Sequence, residues 1–434
     1  MAEKQTFDQL KETLYQEKLD NGLSVYVLPK KGFNKTYATF TTNYGSVDNH
    51  FVPLGENEKV KVPDGIAHFL EHKMFEDEKG DVFQVFGEQG ASANAFTSFT
   101  RTAYLFSSTQ EVKKNLTTLL DFVQHPYFTE QSVEKEKGII GQEIKMYEDN
   151  SDWRVFFNLL DNMYHNHPVK IDIAGTIDSI DKITKDDLYT CYNTFYHPSN
   201  MALFIVGPVE PEEILKLVRD NQGEKEFKEP EEIERFLAEE PENVRREKEV
   251  LPMSVNTPKC LVGYKEPDPK KQGKELLRYE LSLQIILELM FGQGSETYQQ
   301  LYKEGLIDDS FSFDYTGEKT FAFSVIGGDT KDPDALAQKI QEAVRSMKQE
   351  GINEEEVERI RKKKIGSFLK QLNSPEFIAN QFTRYLFNDM HLYDVIPMLE
   401  ELTSKDLEAA LTEHFGEDQC TISQVVGKKA EESA

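Results

Sequence analysis

Cysteine is scarce in this chain of 434 residues: Cys191, Cys260 and Cys420 are all there are. They are odd in number, far apart and in no C-x-x-C pair, which excludes a disulfide framework and a thiolate metal site. They read as buried, reduced residues. Positive charge is also in deficit, with 50 Lys and Arg against 77 Asp and Glu and a formal net charge of -27. A general nucleic-acid binder needs a basic face to displace counterions from phosphates, and the acidic balance argues against one, so no nucleic-acid partner is expected. The acidic surplus mainly means solubility, and favours a cationic ligand inside a cleft. Long apolar runs are missing too. The start "MAEKQTFDQLKETLYQEKLDNG" has no signal-peptide core, and no run of about 18 apolar residues follows. The expectation is a cytoplasmic protein with no membrane partner. A G-x-S-x-G elbow, a G-x-x-x-x-G-K-[ST] phosphate loop and a strand-linked G-x-G-x-x-G are absent as well.

What is present is ample material for a core: 38% hydrophobic residues, with 29 Phe and 18 Tyr. At about 100 to 200 residues per domain, the length predicts two or three domains. Residues 223–249, "GEKEFKEPEEIERFLAEEPENVRREKE", are dense in charge and poor in apolar residues, and read as a linker. The stretches on either side match in order. "ITKDDLYTCYNTFYHPSNMALFIVG" runs to Gly207 and "LTSKDLEAALTEHFGEDQCTISQVVG" to Gly427, each opening on a helix-start signal and closing on a strand. "TEQSVEKEKGIIGQEIKMYEDN" lies likewise against "NEEEVERIRKKKIGSFLKQLNS". The reading is a duplicated domain of about 200 residues, with a first copy over 1–222, the linker, a second copy over 250–427 and a flexible tail over 428–434. Within a copy, alternating stretches such as "LSVYVLPK" and "TYATFTTNYGS" mix with helical spacing in "VKKNLTTLLDFVQ". Strands and helices that do not strictly alternate predict an α+β layer, one sheet with helices packed on it, in each half.

The chemistry concentrates in "DGIAHFLEHKMF", where His68, Glu71 and His72 form H-x-x-E-H. Residues four apart on a helix are about 40° apart around the axis, so the two imidazoles can aim at one point, with Glu71 beside them. Zinc takes nitrogen and oxygen ligands tetrahedrally, and a catalytic site keeps one position for water. Two histidines are insufficient: a third ligand and a carboxylate to accept the water's proton are needed. The competing reading is a helix whose Ala67, Phe69, Leu70, Met74 and Phe75 pack inward while the histidines make ordinary hydrogen bonds. Glu136 and Glu143 share one face of a later helix, with Val133, Ile140, Ile144 and Tyr147 available to pack it. Spacing alone leaves Glu143 a candidate. His165 and His167 in "YHNHPVKIDIAGT" are rival ligands, but alternate residues on a helix diverge.

These residues resemble the pitrilysin, insulinase and mitochondrial processing peptidase family of inverzincin metallopeptidases, through both halves of the chain. The most specific elements are H-F-L-E-H and the E-x-E-x-x-x-I-x-x-x-E pattern, here "EKEKGIIGQE" from Glu134 to Glu143. The resemblance implies that His68, His72 and Glu143 hold one zinc per chain, that Glu71 is the general base, and that Glu136 supports the ligands from behind. It also implies that the N-A-x-T strand, Asn94-Ala95-Phe96-Thr97, binds an extended peptide substrate. Two homologous domains would form a clamshell of mostly antiparallel sheets, enclosing peptides or unfolded segments for a zinc-dependent endopeptidase. Gln284, Leu287, Glu288 and Ser367 stand opposite His68, Glu71, His72 and Glu143, so the second half lacks the metal site. The Arg and Tyr that many active members carry there are replaced near "LYKEGLIDDSFSFDY" by Tyr302 and Asp308. A homodimer or heterodimer in which a same-fold subunit supplies that pair is therefore expected. The alternative is a non-catalytic assembly subunit that kept the fold.

Overall fold

A computed structural model of the chain describes residues 3–78 and 80–428. Nearly all of the tail expected over 428–434 lies outside the described residues. Two compact units result, and neither is continuous in sequence. The first comprises residues 1–144, 172–237 and 371–387, and the second residues 145–171, 238–370 and 388–434.

The first unit is built on a seven-stranded sheet. Its strands are β1 (Glu3–Phe7), β2 (Glu12–Lys18), β3 (Ser24–Pro29), β4 (Thr36–Thr42), β5 (Ala91–Thr97), β6 (Thr102–Ser108) and β7 (Met201–Gly207). They lie in the order β1-β2-β3-β7-β4-β6-β5, and β3 with β7 is the parallel pair. β4 reads TYATFTT and is buried at every position, as β-branched and aromatic residues suit a central strand covered on both faces. β5 is an edge strand with an exposed-intermediate alternation along its first half, the signature of a half-covered face. Helices α1 (Ile66–Met74), α3 (Val112–Val123) and α4 (Glu130–Asp149) follow the predicted periodicity, and a further short helix, α2 (Val82–Glu88), stands between α1 and β5.

The second unit repeats this plan. β8 (Lys248–Met253), β9 (Lys259–Lys265), β10 (Ser312–Gly317), β11 (Ala322–Asp329) and β12 (Cys420–Gly427) lie in the order β8-β12-β9-β11-β10. That is the order of the first sheet without its β1-β2 extension, again with one parallel pair, β8 with β12. The predicted helix-start signals are both capping boxes, Thr184 with Asp187 and Thr403 with Asp406. Each unit is the α+β layer that the sequence predicts.

The continuous halves expected from sequence differ from these units in one respect. Helix α5 (Ser151–Met163) belongs to the second unit although it lies in the first half of the chain. Its Asn158 Nδ2 donates to Ser423 Oγ of β12 at 2.8 Å, and a Cβ at Gly263 of β9 would stand 2.0 Å from Met163 Cε. Met163 and Leu159 of the helix thus occupy the space that a side chain at this glycine would take. The matching helix of the second half, Pro375–Phe387, belongs to the first unit. Its Phe382 ring lies 4.5 Å from that of Phe204 on β7 and 4.8 Å from that of Tyr26 on β3. Amphipathic periodicity predicts that such helices bury a face, but does not say against which copy of a duplicated sheet.

Within the charged stretch 223–249, Gly223 ends the helix Pro211–Gly223 and Lys248 opens β8, and the residues between them are tied down. Val52 N–H donates to Glu234 O at 3.0 Å, and Arg235 Nε meets Asp48 Oδ1 at 2.8 Å. Glu240 accepts the backbone N–H groups of His165, Asn166 and His167 at 2.7 to 2.8 Å. No helix among the described residues is long and apolar enough to cross a membrane.

Candidate metal centre

Helix α1 starts from Gly65, whose φ of +88° is a left-handed conformation suited to glycine. A Cβ there would meet Ala174 O at 2.4 Å. The loop containing Ala174 clamps the helix start from one side: Ser179 Oγ donates to Asp64 O at 2.8 Å, while Asn49 Nδ2 holds Asp64 Oδ1 at 2.7 Å. Ala67, Phe69, Leu70, Met74 and Phe75 are buried as predicted, and their burial fixes the helix rotation that turns His68 and His72 together. Lys73 is fully buried as well and pairs with Glu76, a contact that apolar periodicity does not reveal. Helix α4 packs through Val133, Ile140 and Ile144, while Tyr147 is only half-buried.

These two helices bring His68, His72 and Glu143 together, with one donor atom of each within 4.8 Å of the others. His68 Nε2 lies 3.7 Å from Glu143 Oε1, and His72 Nε2 lies 3.6 Å from Glu143 Oε2. Both distances exceed a normal hydrogen bond. They are close to the roughly 3.3 Å that separates two ligands held at about 2.0 to 2.1 Å from a tetrahedral centre. The donor set, two imidazole nitrogens and a carboxylate, fits zinc on residue chemistry and on spacing.

The surroundings sharpen that fit. Glu136 is buried, and its Oε1 meets His72 Nδ1 at 3.0 Å, which leaves Nε2 to face the cluster. Burial would lower the pKa of His72, but its hydrogen bond to the accepting Glu136 carboxylate and the charges of Glu71, Glu136 and Glu143 outweigh it and raise the value. His68 has its pKa lowered to about 4, by burial first and then by its neighbour His72, so its ring is neutral and can offer a lone pair. Among the described residues, Nδ1 of His68 is buried without a hydrogen-bond partner. Glu71 is 9% exposed, and burial raises its pKa against the opposing pull of a hydrogen bond from Thr97 Oγ1 at 2.6 Å.

Asn94 and Ala95 lie on β5, whose partner is β6 on one side only among the described residues. Asn94 is exposed, and its Oδ1 accepts the N–H of Ala95 at 2.9 Å. The rival His167 is placed otherwise, in the second unit. Its Nδ1 accepts the N–H of Val169 at 3.1 Å, capping the short Pro168–Lys170 turn, which is a structural use. In the repeat of the metal cluster, Glu288 pairs with Lys363, Leu287 is buried and Ser367 is exposed. Tyr302 lies exposed on the helix Glu296–Lys303, and Asp308 accepts from Ser310 N and Oγ. Sequence reasoning missed the clamp by the loop 172–179 and the contact between Thr97 and Glu71. The glycine of "IAGT" was the available signal for the first, and the Thr of N-A-x-T for the second.

A family model described as insulinase, peptidase family M16, matches residues 51–177, which include His68, Glu71, His72, Glu136 and Glu143. A second, described as the peptidase M16 inactive domain, matches residues 182–364. The chain is 61% identical over 422 residues to the uncharacterized zinc protease YmfH of Bacillus subtilis (strain 168), covering 97% of this chain and 98% of that one. It is 25% identical to zinc protease PqqE of Helicobacter pylori (strain ATCC 700392 / 26695), over 93% of this chain and 90% of that one. A crystal structure of an M16-like peptidase from Alicyclobacillus acidocaldarius superposes with a TM-score of 0.93 at 42% identity, covering 98% of this chain and 99% of that one. Identity sustained over nearly the full length of both sequences, together with the matching family model over the H-x-x-E-H helix, makes this chain a member of the insulinase peptidase family M16.

Proposed function

We propose that the chain is a zinc-dependent endopeptidase in which His68, His72 and Glu143 hold one zinc per chain and Glu71 is the general base. The observation that carries this reading is the convergence of three donor atoms within 4.8 Å beside a buried carboxylate on the same helix. The names of the relatives, zinc proteases YmfH and PqqE, support it. Zinc, when bound, supplies Lewis acidity towards a peptide carbonyl and a lowered pKa of water. Glu136 holds Nδ1 of His72 so that Nε2 faces the ligand position. An extended peptide adds to the free edge of β5, with Asn94 and Ala95 among its contacts, so that main-chain pairing sets its depth. Glu71 takes a proton from the attacking water and returns it to the leaving amine.

The intact donor cluster favours catalysis over a purely structural assembly role. With Tyr302 and Asp308 where an Arg and a Tyr are expected, a same-fold subunit supplies that pair in this reading. Metal analysis of the purified chain and digestion of an unstructured peptide mixture test it together. Glu71→Gln is expected to keep about one zinc per chain and to lose on the order of a hundredfold to ten-thousandfold in turnover. Full activity in that variant defeats the mechanism. Equal rates with and without every same-fold sibling defeat the partner requirement.

A further inference from the structure

We infer that Thr97 is a positioning residue for Glu71, and that it links substrate docking to the orientation of the base. The inference rests on the endopeptidase reading above. Thr97 Oγ1 donates to Glu71 Oε2 at 2.6 Å, and Glu71 has no other hydrogen-bond partner among the described residues. A threonine hydroxyl has one proton to give. The neighbouring hydroxyl of Thr102 lies 3.4 Å from Thr97 Oγ1 and donates to Tyr44 O at 2.9 Å, so the Thr97 proton is committed to Glu71. The carboxylate of Glu71 is thus held by one oxygen, and Oε1 is the oxygen left for chemistry.

The place of Thr97 in the sheet gives this contact its consequence. It is the last residue of the edge strand β5, paired with Thr102 across the hairpin, and it shares a strand face with Ala95 and Ala93. Helix α1 carries the base, and the strand that offers its free edge to a peptide carries the group that holds the base. Ordering of β5 by an added peptide strand therefore also orders Thr97, and through it the direction of Oε1. An apolar side chain of the same shape at position 97 would leave the strand and its edge intact but release the carboxylate to other rotamers. Misplacement of a reacting group by about 1 Å costs on the order of a hundredfold.

The test compares Thr97→Val, which keeps the shape and loses the hydroxyl, with Thr97→Ser, which keeps the hydroxyl. With the zinc-loaded chain, Thr97→Val is expected to lower kcat by about tenfold to a hundredfold, with KM and zinc content unchanged, and Thr97→Ser to stay within about threefold of the parent. On a Glu71→Gln background Thr97→Val is expected to add no further loss, because two residues acting as one unit are not additive. A second readout needs no turnover: the infrared difference spectrum between the zinc-free chain and its Glu71→Gln variant isolates the Glu71 carboxylate band at one pH. That band is expected to move in Thr97→Val and to stay in Thr97→Ser. An unmoved band, or a Thr97→Val loss that appears in KM or zinc content with kcat intact, overturns the inference. A band that moves in a chain where neither Glu71→Gln nor chelation affects peptide turnover upholds the contact and defeats the endopeptidase reading instead.

Discussion

Glu136 is 5% exposed, and its Oε1 meets Nδ1 of His72 at 3.0 Å. A charged acceptor at that nitrogen fixes the tautomer and makes Nε2 the stronger donor to a cation. Glu136→Gln keeps the volume and loses the charge, and is expected to weaken zinc binding about 10-fold to 100-fold, measured by competition with a chromophoric chelator. Unchanged affinity would remove Glu136 from this role. His167 answers to a different physics. With Nδ1 accepting from Val169, its proton sits on Nε2, which donates to Thr320 Oγ1 at 3.2 Å, so the folded form is neutral. Burial lowers its pKa from 6.5 to about 4. Below pH 6.5 the unfolded chain takes up a proton that the folded chain refuses, so this stability is fully present above 6.5 and is lost as pH falls to about 4. The loss amounts to about 3 kcal/mol. Denaturant unfolding of the chain and of His167→Asn across that window checks it: the variant is expected to show a flatter decline, and parallel declines would refute the assignment.

At the scale of elements, each unit includes a helix from the other half of the chain. The helix Pro375–Phe387 covers β7 and β3 with Phe382, which is buried between Phe204 and Tyr26. Phe382→Ala, far along the chain from the metal cluster, is expected to destabilise the unit that holds that cluster by about 3 to 5 kcal/mol. Hydrogen exchange should show the loss of protection in β4 and β7, while β9 and β12 keep theirs; the reverse pattern would contradict the assignment of this helix. The elements themselves were largely legible. The alternating stretches became β3 and β4, the strand closing the first copy became β7, and the Thr184 and Thr403 starts became capping boxes. Such signals are local, because a cap or an alternation is satisfied within a few residues. Lys73 was not legible, because an ammonium buried at a position of apolar neighbours depends on Glu76 reaching it.

Across the whole molecule, duplication accounts for two sheets with one strand order, and divergence accounts for a single donor cluster among the described residues. Glu288, opposite His72, is neutralised by Lys363 from its own unit, so a lysine meets the carboxylate in the copy that lacks the metal donors. The sequence by itself determined the element types and the duplication, since each is written in periodicity, caps or an ordered match of stretches. Only the tertiary structure decided that Glu143 reaches His68 and His72, that Thr97 reaches Glu71, and that each unit takes a helix from the other half of the chain. Those facts depend on how faces pack across long separations in sequence, and burial of an apolar face rewards any complementary surface without naming which one.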